Sequence, residues 1–482
     1  MSIRPAHLFC FAILVVSTSL SPHSVTANPN IVILLCDDLG YGDLGCFGHP
    51  HIRTPRLDEL ASQGIRLTSC YSAAPVCSPS RVGLLTGRSP NRSGVYDWIP
   101  EASSKRPGNR GMVHLRGNQW TIAKLARHAG YRTGMFGKYH GNARFNDDSQ
   151  AQPDDIGFNH WVATQNNAHP SHRNPKNFVR DGAPVGEVKR FSCQFVIDET
   201  IRWIDSGPAE KPFFAYVPFH EPHEPVESPT DLVKSYLKVA ESDDQAQYFA
   251  NVSNVDRAVG RLIDHLKERQ LLENTMIVFT SDNGPETLNR YKRANRSHGT
   301  PGPLRGMKLH TTEAGFRVPG IIAWPSRIAS GQVVESAVSS LDIMPTLGAM
   351  LGVGTPPDLV LDGVDLSPAF GEEGRWQEDF KRNKPLLWVY YNSLNQASAA
   401  MRSGKYKVLA RLDGGQLEKV SNLTKANAEK YLGATLTDIE IYDVTTDIDE
   451  SDGIEDTSIT EPLIAEMRSA YESLLKDSHV WE

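Results

Sequence analysis

Two pairs of hard oxygen donors stand directly after apolar runs. Asp37 and Asp38 follow Ile31-Val32-Ile33-Leu34-Leu35, and Asp282 and Asn283 follow Met276-Ile277-Val278-Phe279. Carboxylate and amide oxygens suit Ca2+ or Mg2+ and suit Zn2+ poorly, because no thiolate or imidazole is needed to complete the set. Each pair alone can equally be read as capping a turn. Two pairs in one sheet weaken that reading, since carboxylates so crowded repel one another without a cation.

Cys77 lies in Pro75-Val76-Cys77-Ser78-Pro79-Ser80-Arg81. Pro79 and Ser80 can begin a helix running to Leu85, with Cys77 just before its N-terminus and Arg81 one turn in. Free N–H groups, the positive dipole end and a guanidinium then face one spot, which makes an anion site. A lone cysteine there is either reactive or modified, or a small buried apolar residue; the segment alone leaves both open. Lys138 with His140, and His220 with His223, also follow apolar runs, Thr133 to Phe136 and Phe213 to Val217.

Positioning these groups is a matter of strands and helices in alternation. The continuous apolar runs read as strands covered on both faces. Thr54-Pro55 opens a helix through Gln63, Trp120 to Ala129 stops at Gly130, and Val252 to Leu266 keeps helical apolar spacing. This pattern predicts an α/β fold with a large, mostly parallel sheet flanked by helices, whose ligands sit at the carboxyl ends of the strands. Beyond about Gly371 the pattern changes. Leu386 to Tyr391, Ala400 to Arg402 and Tyr406 to Leu409 read as short strands, with a hairpin at Ser403-Gly404-Lys405. Ile439 to Val444 and a helix from Glu461 to Leu475 complete a smaller C-terminal α+β subdomain. The expected division is 1–27 a leader, 28–375 a catalytic domain and 376–482 the small subdomain. The acidic run between Asp447 and Asp456 is expected to be a solvated loop.

The 482 residues carry 50 Lys and Arg against 57 Asp and Glu, a net charge of −7 that argues against general nucleic-acid binding. An anionic ligand must therefore be captured by a local cluster of positive charge. Arg4 and His7 before the apolar run Leu8 to Val16, then small residues up to Ala27, read as a secretory signal too short to span a bilayer. The mature chain is expected to be exported, to a periplasmic, secreted or lysosome-like compartment, with no stable membrane span. Of the 6 cysteines, those left after the leader (Cys36, Cys46, Cys70, Cys77 and Cys193) are odd in number, so at least one thiol is unpaired.

Cys77-Ser78-Pro79-Ser80-Arg81, with Leu84, Thr86 and Gly87, resembles the C-x-P-x-R signature of the type I sulfatases. Further matching blocks follow in the family's order: Asp37-Asp38-Leu39-Gly40-Tyr41-Gly42-Asp43, Gly137-Lys138-Tyr139-His140, Pro222-His223-Glu224-Pro225, Ser281-Asp282-Asn283-Gly284, Gly306-Met307-Lys308, Glu313 to Pro319, and Ile441-Tyr442-Asp443. The overall look is closest to the arylsulfatase A and N-acetylgalactosamine-6-sulfatase branch. Tyr139 stands in place of a common Trp, Ala314 in place of a common Gly, and the segment after Asp447 lacks the usual Pro.

The resemblance implies an alkaline-phosphatase-like fold and a formylglycine made from Cys77 by a formylglycine-generating or equivalent maturation enzyme. It assigns Asp37, Asp38, Asp282 and Asn283 to one Ca2+, with residue 77 also facing the metal. Arg81, Lys138 and Lys308 match the cations around the sulfate, and His140 and His223 match the acid/base histidines, His220 being a neighbouring candidate. The hydrated aldehyde at residue 77 would supply the nucleophile with Asp282 as a base; His223 or Lys308 would protonate the leaving alcohol, and His140 would deprotonate the second hydroxyl. The expected substrate is a sulfate monoester on a carbohydrate, with His169, His172, Arg173, Lys176, Arg180, His298, Arg305 and His310 as candidate sugar contacts. Each of these is also the kind of residue that decorates an ordinary surface. Two alternatives stand beside this reading: a phosphodiesterase or phosphonate hydrolase of the same fold, and a secreted module that binds sulfated glycans without cleaving them.

Overall fold

In the computed structural model, residues 28–101, 109–287 and 290–482 are described; the expected leader over 1–27 lies outside them. The run at Ile31 forms the central strand Asn30–Asp37, every residue of which is buried. It is continuous in hydrophobicity because its alternate residues serve two separate cores. Val32, Leu34 and Cys36 pack with Val252, Val255 and Val259 of the helix Asp243–Glu268, whereas Ile31, Ile33 and Leu35 pack with Leu84, Leu85 and Leu125 on the opposite face.

The central strand runs parallel to Phe213–Pro222 on one side and to Thr275–Ser281 on the other. Outside Phe213–Pro222 lie Arg132–Lys138 and then His160–Thr164, again parallel. The sheet has eleven strands and is not wholly parallel, since Arg317–Ala323 runs antiparallel to both Thr275–Ser281 and Ile65–Tyr71. The described residues between Ser281 and Arg317 hold only a 3-10 turn and the four-residue helix Glu313–Phe316, too little to build a crossover, so the chain simply returns.

A second sheet of four antiparallel strands, Leu386–Val389, Ala399–Ser403, Tyr406–Leu412 and Leu436–Asp443, follows in sequence order. One face is covered by the helix Thr457–Lys476 through Leu463, Met467, Tyr471 and Leu474. The other meets the large unit, where Trp388 stacks on Phe316 with ring centroids 4.3 Å apart. The expected hairpin forms, with Gly404 in the left-handed region at φ +55°.

Two local expectations need correcting. The helix carrying Cys77 spans Cys77–Thr86, so the cysteine is its first residue rather than the one before it. The acidic run is not uniformly solvated: Glu450 is fully buried, because its carboxylate accepts the backbone N–H of Glu313 at 2.9 Å and lies 3.5 Å from Arg305. Among the described residues no helix is long and apolar enough to cross a membrane.

Candidate active site

The four polar clusters sit at the carboxyl ends of four neighbouring parallel strands, so the order of the sheet brings them to one cleft. Consecutive residues of an extended strand point to opposite faces, which would separate Asp37 from Asp38. The chain avoids this by leaving the strand at Asp38, whose φ is +64°. A donor atom of each of Asp37, Asp38, Cys77 and His223 then falls within 4.8 Å of the others. The Asp38 backbone N–H donates to Asp282 Oδ1 at 3.2 Å, joining the two strand ends.

Three cations face three carboxylates in this cluster, all of them buried. Lys138 Nζ lies 2.6 Å from Asp37 Oδ2, Lys308 Nζ 2.7 Å from Asp38 Oδ2, and Arg81 Nη2 2.8 Å from Asp282 Oδ2 and 3.5 Å from Asp37 Oδ1. Arg81 is further held by its Nη1, which donates to the Lys138 carbonyl at 2.9 Å. Cys77 Sγ is 3.5 Å from Lys308 Nζ and 3.9 Å from Asp38 Oδ1. Asn283 Nδ2 donates to Asp38 Oδ1 at 2.8 Å.

Charge and burial set the protonation states. Burial raises the carboxyl of Asp37, but Lys138, His223, Arg81 and Lys308 together hold it well below the usual carboxylate range. Asp282 goes the other way. Burial pushes it up to about 7 despite Arg81, with Asp37 and Asp38 adding their repulsion. Burial likewise drives the Cys77 thiol well above its ordinary value against the pull of Lys138 and Lys308, so an unmodified thiol here is a poor nucleophile at neutral pH.

A divalent cation fits this donor set. Asp37 Oδ1 and Asn283 Oδ1 are buried without a hydrogen-bond partner, two oxygens of the kind a hard cation takes. Since the carboxylates and the Lys and Arg groups balance, a dication would leave the cleft net positive, as capture of an anion requires.

The structure thus gathers Asp37, Asp38, Cys77, Arg81, Lys138, His223, Asp282, Asn283 and Lys308 into one cluster. His140 is buried close enough to feel the charges of Lys138 and Arg81, with Nε2 on the Ile99 carbonyl at 2.9 Å and Nδ1 buried and unpartnered. That carbonyl fixes the Nε2–H tautomer, while burial first, then Lys138 and Arg81, hold the ring's pKa well below its ordinary value. His220 stands apart: its Nε2 lies 2.7 Å from Thr164 Oγ1 and its ring is edge-on to Phe178. Of the loop candidates, His172 is buried against Asn251, and Arg173, Lys176 and Arg180 are paired with Glu227, Glu187 and Glu199. Sequence reasoning missed Asn167, whose Oδ1 accepts from Lys138 Nζ at 2.9 Å. Its signal was legible, since Thr164 to Asn167 form a fifth polar cluster after an apolar strand.

Comparison with known proteins identifies the family. The sulfatase family model matches residues 29–353. The chain is 32% identical over 454 residues to arylsulfatase A of Homo sapiens, covering 89% of this chain and 83% of that protein. It is 34% identical over 399 residues to N-acetylgalactosamine-6-sulfatase of Rattus norvegicus, covering 79% and 71%. Among solved structures, Ps i-CgsB in complex with k-i-k-neocarrahexaose superposes with a TM-score of 0.76 at 26% identity, covering 94% of each chain.

Proposed function

Because the chain belongs to the sulfatase family and is a sulfuric ester hydrolase, we propose that it cleaves sulfate monoesters on a carbohydrate, using a formylglycine made from Cys77 beside one bound Ca2+. The observation that carries this reading is the placement of Cys77 at a buried helix N-terminus, 3.5 Å from Lys308, among three cations and three carboxylates. Asp37, Asp38, Asp282 and Asn283 would hold the calcium, which supplies charge neutralisation and polarisation of the sulfate when bound. The modified residue 77 supplies a hydroxyl of its hydrated aldehyde as nucleophile.

The chain's own residues do the rest. Arg81, Lys138 and Lys308 neutralise the sulfate oxygens from buried, mutually paired positions, so little reorganisation opposes the reaction. Asp282 is the carboxylate that takes the proton of the attacking hydroxyl. His223 Nε2 supplies a proton to the departing alcohol, and His140 Nδ1, held free by the Ile99 carbonyl, takes the proton that lets sulfate leave. A carbohydrate substrate is supported by two relatives, one an N-acetylgalactosamine-6-sulfatase and one solved in complex with k-i-k-neocarrahexaose. Export to a periplasmic, secreted or lysosome-like compartment is part of the proposal and rests on the sequence of residues 1–27 alone.

The test is expression with a maturation enzyme, followed by mass analysis of the tryptic peptide containing residue 77 and kinetics on paired aryl sulfate and aryl phosphate esters. The expected result is an aldehyde-bearing peptide, a preference for the sulfate, and no turnover by Cys77→Ala. An unmodified thiol in active enzyme, or a preference for the phosphorus ester, overturns the reading.

A further inference from the structure

Glu224 and Tyr291 take no part in the steps above, yet both are tied to His223. Tyr291 is among the few large apolar side chains left exposed, at 43%, and its hydroxyl donates to Glu224 Oε1. The Glu224 side chain is buried. Its second oxygen, Oε2, has no hydrogen-bond partner and lies 3.1 Å from His223 Nδ1. The same Nδ1 is 2.8 Å from the Glu224 backbone carbonyl, which in turn accepts from Asn167 Nδ2 at 3.1 Å.

Nδ1 therefore faces two acceptors and must carry a hydrogen. Nε2 is left as the ring atom turned to the reacting cluster, 3.5 Å from Asp38 Oδ2, the oxygen that also holds Lys308. We propose that Glu224 is a positioning residue for His223, itself held in place by Tyr291, so that Nε2 is presented to the oxygen of the leaving alcohol. The inference rests on the sulfatase reading. In the step it serves, the bond between sulfur and the alcohol oxygen breaks as the residue 77 hydroxyl oxygen bonds to sulfur and gives its proton to Asp282. The alcohol oxygen keeps the electron pair and takes the Nε2 proton of the doubly protonated ring, which is left neutral with its hydrogen on Nδ1. Such an arrangement matters for a sugar alcohol, a poor leaving group that must be protonated as it departs, and matters little for an acidic phenol.

Leaving-group dependence is the readout that a merely structural role would not move. Turnover of a sulfated monosaccharide and of nitrophenyl sulfate is measured for the parent, Glu224→Gln, Tyr291→Phe, His223→Ala and the His223→Ala/Glu224→Gln double variant. In Glu224→Gln the ratio of kcat on nitrophenyl sulfate to kcat on the sugar sulfate is expected to rise roughly tenfold, a fraction of the ~10²–10⁴-fold that general acid catalysis supplies. Tyr291→Phe should shift it less, in the same direction. In the His223→Ala background Glu224→Gln should shift it no further. The proposal is overturned if Glu224→Gln slows both substrates by one factor, leaves both unchanged, or still moves the ratio when His223 is gone. A parent that hydrolyses neither sulfate contradicts instead the sulfatase reading beneath it.

Discussion

Lys407, contributed by the small antiparallel sheet, is fully buried in the large unit, and its removal makes a quantitative prediction. Its Nζ is 3.0 Å from Glu313 Oε1 and lies over the rings of Phe316 and Trp388, at 4.8 and 5.1 Å. Glu313 also accepts from Tyr71 at 2.7 Å and from Arg317 at 3.3 Å. Burial raises its carboxyl, but Lys407 above all, then Arg317 and Arg402, bring it from 4.5 to about 2. A carboxyl depressed on folding contributes stability that is fully present above its unfolded value and is lost as pH falls through the folded one. At about 1.4 kcal/mol per pH unit the depression is worth roughly 3 kcal/mol near neutrality, and about half that at pH 3. Lys407→Met keeps the stem against the two rings and removes the charge. Urea unfolding from pH 7 down to pH 3 should show a deficit that is the larger part of those roughly 3 kcal/mol, Arg317 and Arg402 keeping the rest, and that narrows below pH 4.5. Glu450, which burial pushes to about 7 against the pull of Lys407, acts in the same direction, its share of the deficit fading as pH falls through 7. A deficit independent of pH, or none, refutes the assignment of Lys407 as the counter-charge of this cluster.

Arg81→Lys should cost roughly 10²-fold or more in kcat/KM and lower Tm by several degrees. One ammonium cannot reproduce the guanidinium's contacts to Asp282 and the Lys138 carbonyl; parent-like rates and melting would contradict the geometry. Chelation of a matured preparation should abolish turnover of nitrophenyl sulfate and lower Tm, and added Ca2+ should restore both, as measured by rate assay and thermal melting. Turnover that survives exhaustive chelation would remove the cation from the site.

The central parallel sheet and most of the site were legible in the amino-acid order. A short apolar run rich in Ile and Val with no alternation reads as a strand covered twice, and a polar pair that ends such a strand in a parallel sheet lies at its carboxyl edge. Asp37, Asp38, Lys138, Asp282 and Asn283 all carry that local mark, and Cys77 and Arg81 carry the mark of a helix start. The Pro222-His223-Glu224-Pro225 block marks His223 rather than His220, and in the fold His220 turns to Thr164 and Phe178 while His223 reaches Asp38. Two things had no local signature. The clamp of Tyr291 on Glu224 joins residues far apart in the chain. The burial of Glu450, inside a run that reads as solvent-loving, follows from partners on Glu313 and Arg305. Periodicity and capping are properties of neighbours along the chain and can be read there. Which side chain meets a distant partner is settled only by long-range packing, where the cost of an unpaired buried charge selects the pairing.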